Sequence, residues 1–263
     1  MNAVTTSNHK TNTFKWLLKR EFWENRGGFV WAPVITGAIF LVMTILGLVI
    51  ASALFWKARN ESGINLSTNL EPGHAQAMGF AGDLSLVVGI GLAMAVMAFV
   101  VFFYCLGSLY DERRDRSVLF WKSMPVSDTQ TVLSKLAWAL LLAPVIAILV
   151  GVAIGAALWL VSLLAAAING LPSAGAVVTE SHPLRVLGNI LVIVPVYALW
   201  ALPTVGWLML CSAWARRFPF LWAVLIPFLT CAMVSLVALI TGAATGMKFP
   251  FASLWYTVWY RGV

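Results

Sequence analysis

The residues best suited to chemistry in this sequence lie in one short stretch, Tyr110 to Gln130, which we call the charged loop. It holds eight charged residues and a central group of apolar ones: Val118, Leu119, Phe120, Trp121 and Met124. Apolar side chains of this size are costly to leave in water unless another surface covers them. A charged loop with an apolar centre is typical of a docking surface for a soluble partner.

The sequence does not predict a catalytic site, a metal site or a nucleotide site. It lacks the Gly-x-x-x-x-Gly-Lys-Ser/Thr pattern that cradles the phosphates of ATP. No His, Cys and Asp residues have the spacing of metal ligands, and Asn189, Thr204 and Thr230 do not form an obvious catalytic set for an intramembrane enzyme. We therefore expect a chain that is not an enzyme and holds no metal or cofactor of its own.

The composition places the charged loop in a membrane protein. The chain is 61% hydrophobic and 10% charged, whereas soluble proteins carry about 25% charged residues. Continuous apolar runs predict helices rather than barrel strands, which alternate apolar and polar residues. The fold class predicted is therefore an all-α, polytopic helical membrane protein with five spans, at residues 29–56, 84–109, 131–168, 186–211 and 218–240.

The third apolar run, residues 131–168, is unusually long. As one helix it would measure about 57 Å at 1.5 Å per residue, against a hydrocarbon core of about 30 Å. Two short spans with a turn near Gly151 or Gly155 are possible, but no Asn, Asp or charge supports a turn there. We predict one long helix bent by Pro144 and the two glycines. Its start is predicted by a capping box, Ser127 to Gln130.

The two ends of the chain differ from ordinary spans. Residues 14–26 have apolar residues at helical spacing, which predicts an amphipathic helix at the membrane interface, or one packed on a soluble partner. Gly27 and Gly28 are expected to let the chain turn into the first span. Residues 241–263 are aromatic but interrupted by Gly246 and Pro250, which predicts a re-entrant or interfacial segment.

The distribution of basic residues predicts the orientation. Twelve of the seventeen Lys and Arg residues lie on the side that holds the N-terminus and the charged loop. The positive-inside rule therefore places the N-terminus in the cytoplasm. The formal net charge of +7 is explained in this way, and no nucleic-acid partner is expected, because the positive charges are not gathered on a soluble domain.

Several elements of the charged loop, in order, resemble a known family. They are the pair Glu112-Arg113, then Ser117, the apolar residues Val118 to Trp121, the turn Pro125-Val126-Ser127, and Lys135 in the following helix. In this order the chain resembles the ABC-2 type permeases, the membrane subunits of ABC exporters. The family usually has six spans where five are found here, and a Gly where this chain has Ser117.

The resemblance implies a partner and a mechanism. Residues 111–126 would form a coupling segment, with a short coupling helix at Ser117 to Met124 docked on a separate ATPase subunit that binds ATP and Mg. Phe120 and Trp121 would anchor it, and the arginines would pair with acidic residues of the ATPase or, alternatively, serve only topology and lipid headgroup contact. The implied coupling residues are Glu112, Arg113, Arg114, Arg116, Ser117, Leu119, Phe120, Trp121 and Pro125. A second permease copy, membrane lipid and a bacterial cytoplasmic membrane complete the expectation.

The substrate and the rival functions stay open at this stage. Gly151-x-x-x-Gly155 is a candidate for the seam between two copies or for packing within one copy. Apart from Lys135 at a cytoplasmic edge, the predicted spans carry no charge, which favours an apolar or amphiphilic cargo and disfavours an ion-driven carrier. The alternatives are a membrane scaffold that recruits a soluble partner without transport, and a secondary carrier.

Overall fold

Long apolar runs fold as helices in lipid, because every backbone N–H and C=O must find its partner within the protein. The computed structural model describes residues 13–62, 72–116, 127–171 and 174–245, and these ranges contain helices and no β-strand. Five helical segments are long and apolar enough to cross a membrane: Phe14–Glu61, Ala75–Arg114, Asp128–Ile168, Pro183–Trp214 and Pro219–Thr241. The predicted all-α fold with five candidate spans is therefore confirmed.

We number nine helices within the described ranges. They are α1 (Thr13–Arg26), α2 (Ala32–Ser62), α3 (Pro72–Ser108), α4 (Tyr110–Arg114), α5 (Asp128–Ala137), α6 (Ala143–Ile168), α7 (Ala176–Thr179), α8 (Pro183–Trp214) and α9 (Pro219–Thr245). Two π-helical turns, Gly27–Trp31 and Trp138–Leu142, join α1 to α2 and α5 to α6.

The first helix runs into the first span without leaving the helical path. Gly27 and Gly28 were expected to let the chain change direction into the first span, and this is wrong. The chain stays helical through both glycines, which begin a π-helical segment in which the Ala32 N–H donates to the Gly27 carbonyl. One side of α1 packs on the protein through buried Leu17, while Trp16 remains 62% exposed. The placement of this helix at the membrane interface stays a prediction.

The long third run is one continuous helical segment, α5 to α6, so the predicted single span is confirmed. Ser127 caps its start, since the Ser127 side chain accepts a hydrogen bond of 3.3 Å from the Gln130 N–H. The irregularity expected near Pro144 is the π-helical turn that precedes it, in which the Ala143 N–H donates to the Trp138 carbonyl. Proline has no N–H to continue the regular pattern, which accounts for this position.

Glycines bring α3 and α6 into the most extensive helix contact of the described structure. A Cβ on Gly151 would lie 2.6 Å from the Ile90 Cα, and a Cβ on Gly155 would lie 2.9 Å from the Leu86 Cα. These glycines therefore pack within one chain. The interpretation of Gly151-x-x-x-Gly155 as a seam between copies is wrong, and intramolecular packing is confirmed.

Several helices extend past their predicted ends. The second spanning helix begins at Pro72 instead of residue 84, so part of the loop expected before it is helical. The last helix, α9, continues to Thr245, so it includes the first residues of the predicted re-entrant segment. The remainder of that segment, 246–263, lies outside the described residues, as do 1–12, 63–71, 117–126 and 172–173.

Candidate functional site

Five polar side chains meet where α1, α3, α4 and α5 converge, and we call them the charge cluster: Arg20, Glu21, Tyr104, Glu112 and Lys135. Glu21 is at its centre and is only 1% exposed, and Lys135 is 2% exposed. The Tyr104 hydroxyl donates to Glu21 Oε2 at 2.8 Å, and Lys135 Nζ donates to Glu21 Oε1 at 2.9 Å. Charged groups are this deeply buried only when other groups compensate them.

Glu112 supplies the second carboxylate of the charge cluster. Its Oε1 lies 3.0 Å from Lys135 Nζ and 2.9 Å from Arg20 Nη2. Arg20 Nη2 also contacts Glu21 Oε1 at 2.8 Å, so each cation bridges both carboxylates. The four charges balance, two positive against two negative. Shared hydrogen bonds of this kind are shorter and stronger than neutral ones.

Aromatic packing fixes the helices that carry the charge cluster. The Trp138 ring stacks between Phe22 of α1, at 5.7 Å, and Phe29 of the first π turn, at 5.4 Å. Phe29 in turn contacts the Tyr104 ring edge-on at 5.2 Å. Trp138 Nε1 also donates to the Leu18 carbonyl at 2.7 Å, which ties the second π turn, at the end of α5, to α1. The charge cluster therefore rests on a rigid aromatic layer.

A second polar connection joins α4 to the end of α8. Ser212 is completely buried, and its hydroxyl accepts hydrogen bonds from the backbone N–H groups of Leu109 and Tyr110, at 3.1 and 3.0 Å. In the other direction, Arg113 Nη2 donates to the carbonyls of Ser212 and Ala215, at 2.6 and 3.0 Å. The start of α4 thus gains an acceptor for its free N–H groups, and the end of α8 gains a donor for its free carbonyls.

The predicted coupling residues are divided by what the structure describes. Glu112 lies inside the charge cluster, and the Arg113 guanidinium is engaged with α8. Arg114 and Arg116 are exposed at the end of α4. The other predicted coupling residues lie outside the described residues, and their docking role stays a prediction: Ser117, Leu119, Phe120, Trp121 and Pro125.

Sequence reasoning missed Glu21 and Tyr104. A signal for Glu21 was present, because it follows Leu17 by four residues and Leu18 by three, and so falls on the apolar face of α1. A carboxylate on that face needs a buried cation, and Lys135, the one charge assigned to a predicted span, was the natural partner. Tyr104 gave no such signal within its apolar run.

A cleft of about 540 Å³ opens beside the charge cluster. Glu21, Glu24, Asp111 and Glu112 contribute carboxylates to its wall, and Lys135 contributes a cation. Within the part of the chain that the structure describes, no group of three or more His, Cys, Asp or Glu residues is arranged to hold a metal ion. The arrangement serves to fix helices together and to hold charge at one end of the bundle.

Comparison of the chain with models of known protein families, with curated proteins and with solved structures finds no match.

Proposed function

We propose that this chain is the permease subunit of an ATP-driven exporter of the ABC-2 type, moving an amphiphilic substrate across a bacterial cytoplasmic membrane. The observation that carries the proposal is the charge cluster, two of whose residues flank residues 117–126 in the sequence. Glu112 lies just before that segment and Lys135 follows it, and their side chains are 3.0 Å apart. In the sequence, the apolar residues expected to dock on a partner therefore lie between two residues whose side chains contact each other.

The charge cluster would transmit force from that segment to the spans. α4 continues from the second span and α5 begins the third. α5 is joined to α1 through Lys135 and Glu21, and α4 is joined to α1 through Glu112 and Arg20. A push on residues 117–126 would therefore move three helical segments together. A separate ATPase subunit, holding ATP and Mg, would supply the push, and a second permease copy would complete the transporter.

The test is purification of the tagged chain with its partner. After mild cross-linking in its native membrane, the chain should retain a protein that hydrolyses ATP in the presence of Mg. Replacing both anchors, Phe120→Asp and Trp121→Asp, should release that protein. The control is Thr129→Asp, which places one such carboxylate on an exposed position in the first turn of α5, where a carboxylate suits the helix N-terminus.

Two outcomes would contradict the proposal. One is a retained partner that hydrolyses no nucleotide, which would favour the scaffold alternative. The other is an ATPase that stays bound to the Phe120 and Trp121 variant as firmly as to the Thr129→Asp control. Size-exclusion elution of each variant confirms that the membrane part remains folded.

The charge cluster also supports a second candidate, a carrier driven by a proton gradient. Intramembrane ionisable groups often mark proton paths, and Glu21 lies on the same continuous helix as the first candidate span. In the sequence analysis, the five predicted spans carried no charge other than Lys135, and this disfavoured an ion-driven carrier. The buried Glu21 weakens that argument. Transport by the purified chain in vesicles, with a pH gradient and without ATP, would favour the carrier.

A further inference from the structure

A second cavity, of about 880 Å³, lies between α3, the second π turn with the start of α6, and α8. Its wall is mainly apolar and includes Met94, Met97, Phe102, Val196 and Leu208. Of the residues that the structure describes, no Asp, Glu, Lys, Arg or His lines it. A cavity of this size falls in the range of sites that bind small molecules.

In a membrane crossed by these helices, the cavity would lie at the depth of the hydrocarbon core. Thr204, in its wall, precedes the end of α8 at Trp214 by about 15 Å at 1.5 Å per residue. Pro144 follows the start of α5 at Asp128 by about 24 Å on the same scale. Water is scarce at both depths in a core of about 30 Å. A polar group in this wall therefore needs a partner from the protein or from a ligand.

Thr204 is such a group. Serine and threonine hydroxyls in apolar helices usually donate to a carbonyl three or four residues earlier, as Thr36, Thr44 and Thr230 do here. Among the described residues, the Thr204 hydroxyl makes no hydrogen bond, and its side chain is only partly buried in the cavity wall. It is therefore available to a molecule in the cavity.

The opposite wall offers an acceptor. Ala139, Leu140 and Pro144 all line the cavity. Pro144 has no N–H, so the carbonyl it would have bonded, Leu140 in α-helical spacing or Ala139 in π-helical spacing, lacks its regular donor. The cavity wall thus combines apolar side chains with Thr204 and with the residues whose carbonyl Pro144 leaves without its regular donor.

We propose that this cavity binds an uncharged amphiphile, with an alkyl body and a neutral hydrogen-bond donor such as a hydroxyl or an amide N–H. The apolar wall takes the alkyl body, and the donor pairs with Thr204 and the carbonyl beside Pro144. An ionised headgroup is disfavoured, because the described part of the chain places no counter-charge in the cavity wall. That this amphiphile is the cargo of the transporter rests on the proposed function. That the cavity binds it does not.

The test uses the purified chain in lipid nanodiscs, without any ATPase. The probe is a long-chain alcohol that carries a photoactivatable diazirine in its alkyl chain, and the comparison probe is the same hydrocarbon without the hydroxyl. The alcohol should label cavity residues on α3 and α8, with saturation. Thr204→Val, which keeps the shape and removes the hydroxyl, should weaken binding of the alcohol about 2- to 10-fold and leave the hydrocarbon unchanged.

Two matched variants complete the design. Thr230→Val removes a hydroxyl that bonds its own helix and does not line the cavity, so labelling should stay at the wild-type level. Ala98→Phe fills the cavity from α3 and should reduce labelling by both probes. Equal labelling over the whole lipid-facing surface, or equal binding by wild type and Thr204→Val, would overturn the site. So would disulfide cross-linking of Thr204→Cys between two chains, which would show a second copy in the cavity.

The failures of the two proposals are distinguishable. Saturable labelling without a co-purified ATPase would leave the site standing and remove the exporter proposal. A co-purified ATPase without saturable labelling would support the exporter proposal and remove the binding site.

Discussion

The sharpest prediction concerns Glu21, the centre of the charge cluster. Glu21→Gln keeps the shape of the side chain and removes its charge. The carboxylate is 1% exposed and accepts from Lys135, Arg20 and Tyr104 within 2.9 Å. Without it, the buried Lys135 and the partly buried Arg20 share Glu112, and Arg20 keeps a second contact with Glu24 at 3.3 Å. Removing one member of a buried ion pair costs about 3–5 kcal/mol, and we expect a loss of this size in the free energy of unfolding.

A double-mutant cycle separates the pair from general damage. Lys135→Met alone should also cost about 3–5 kcal/mol, because it leaves a carboxylate under-compensated. The double variant retains Arg20 and Glu112, whose charges balance. Its loss should therefore fall short of the sum of the single losses by at least about 2 kcal/mol, the coupling expected for directly bonded groups.

The measurement is unfolding by SDS titration in mixed micelles, followed by tryptophan fluorescence. The matched control is Glu61→Gln, since Glu61 pairs with Lys57 at 4.0 Å on the exposed end of α2, where both side chains are about 70% exposed. An exposed pair of this kind contributes about 0–1 kcal/mol. The reasoning is refuted if Glu21→Gln behaves like Glu61→Gln, or if the losses of the two single variants simply add.

Three further predictions concern the contacts around the charge cluster. Arg113→Ala should speed trypsin cleavage between α8 and α9 several-fold, because the carbonyls of Ser212 and Ala215 lose a charged donor. The control Arg114→Ala, at an exposed position, should leave the cleavage rate unchanged, and equal rates for the two variants would contradict the prediction. Ser212→Ala should cost about 1–3 kcal/mol in the same SDS titration, since two backbone N–H groups lose their buried acceptor; a neutral result would show that water replaces it. Gly151→Val should lower the free energy of unfolding by at least about 1–3 kcal/mol, because the new side chain pushes α3 away from α6. Gly47→Val should be tolerated, because a Cβ at Gly47 meets no atom within 4 Å.

Hydropathy was sufficient to predict the five candidate spans, because a long apolar run leaves few alternatives to a helix. It could not predict where α3 begins. The first turns of α3 are held by tertiary contacts: a Cβ on Gly82 would meet the Val177 carbonyl at 3.1 Å, and Asp83 accepts from the His182 N–H at 2.8 Å. Such contacts leave no periodic signal in the sequence.

The charge cluster shows a different limit of sequence reasoning. Glu112 and Lys135 were singled out from a family pattern, yet Glu21, which accepts from Lys135, lies far away in sequence, on a helix interpreted as interfacial. Only the packing of α1 against α5 brings the three together. The docking residues Phe120 and Trp121 lie outside the described residues and stay predictions.

The position of the two π turns bears on how the charge cluster could act. The first begins at Gly27, less than two helical turns after Glu21, and the second begins at Trp138, one turn after Lys135. The charge cluster is tightly bonded, so its three helical segments should move as one body. Any change of angle is then best absorbed at the irregular turns beyond it, since π-helical turns break the regular hydrogen-bond pattern.

This arrangement would link the two sites. The second π turn supplies Ala139 and Leu140 to the wall of the 880 Å³ cavity, while its other end is fixed to the charge cluster through α5. A movement of residues 117–126 that rotates α5 would therefore change the shape of the cavity directly. Deleting the irregularity with Pro144→Ala, which restores the missing N–H, should stiffen that turn. We expect the variant to unfold at higher SDS concentration and to bind the photoactivatable alcohol less well, because the carbonyl beside Pro144 regains its donor; unchanged labelling would separate the turn from the cavity.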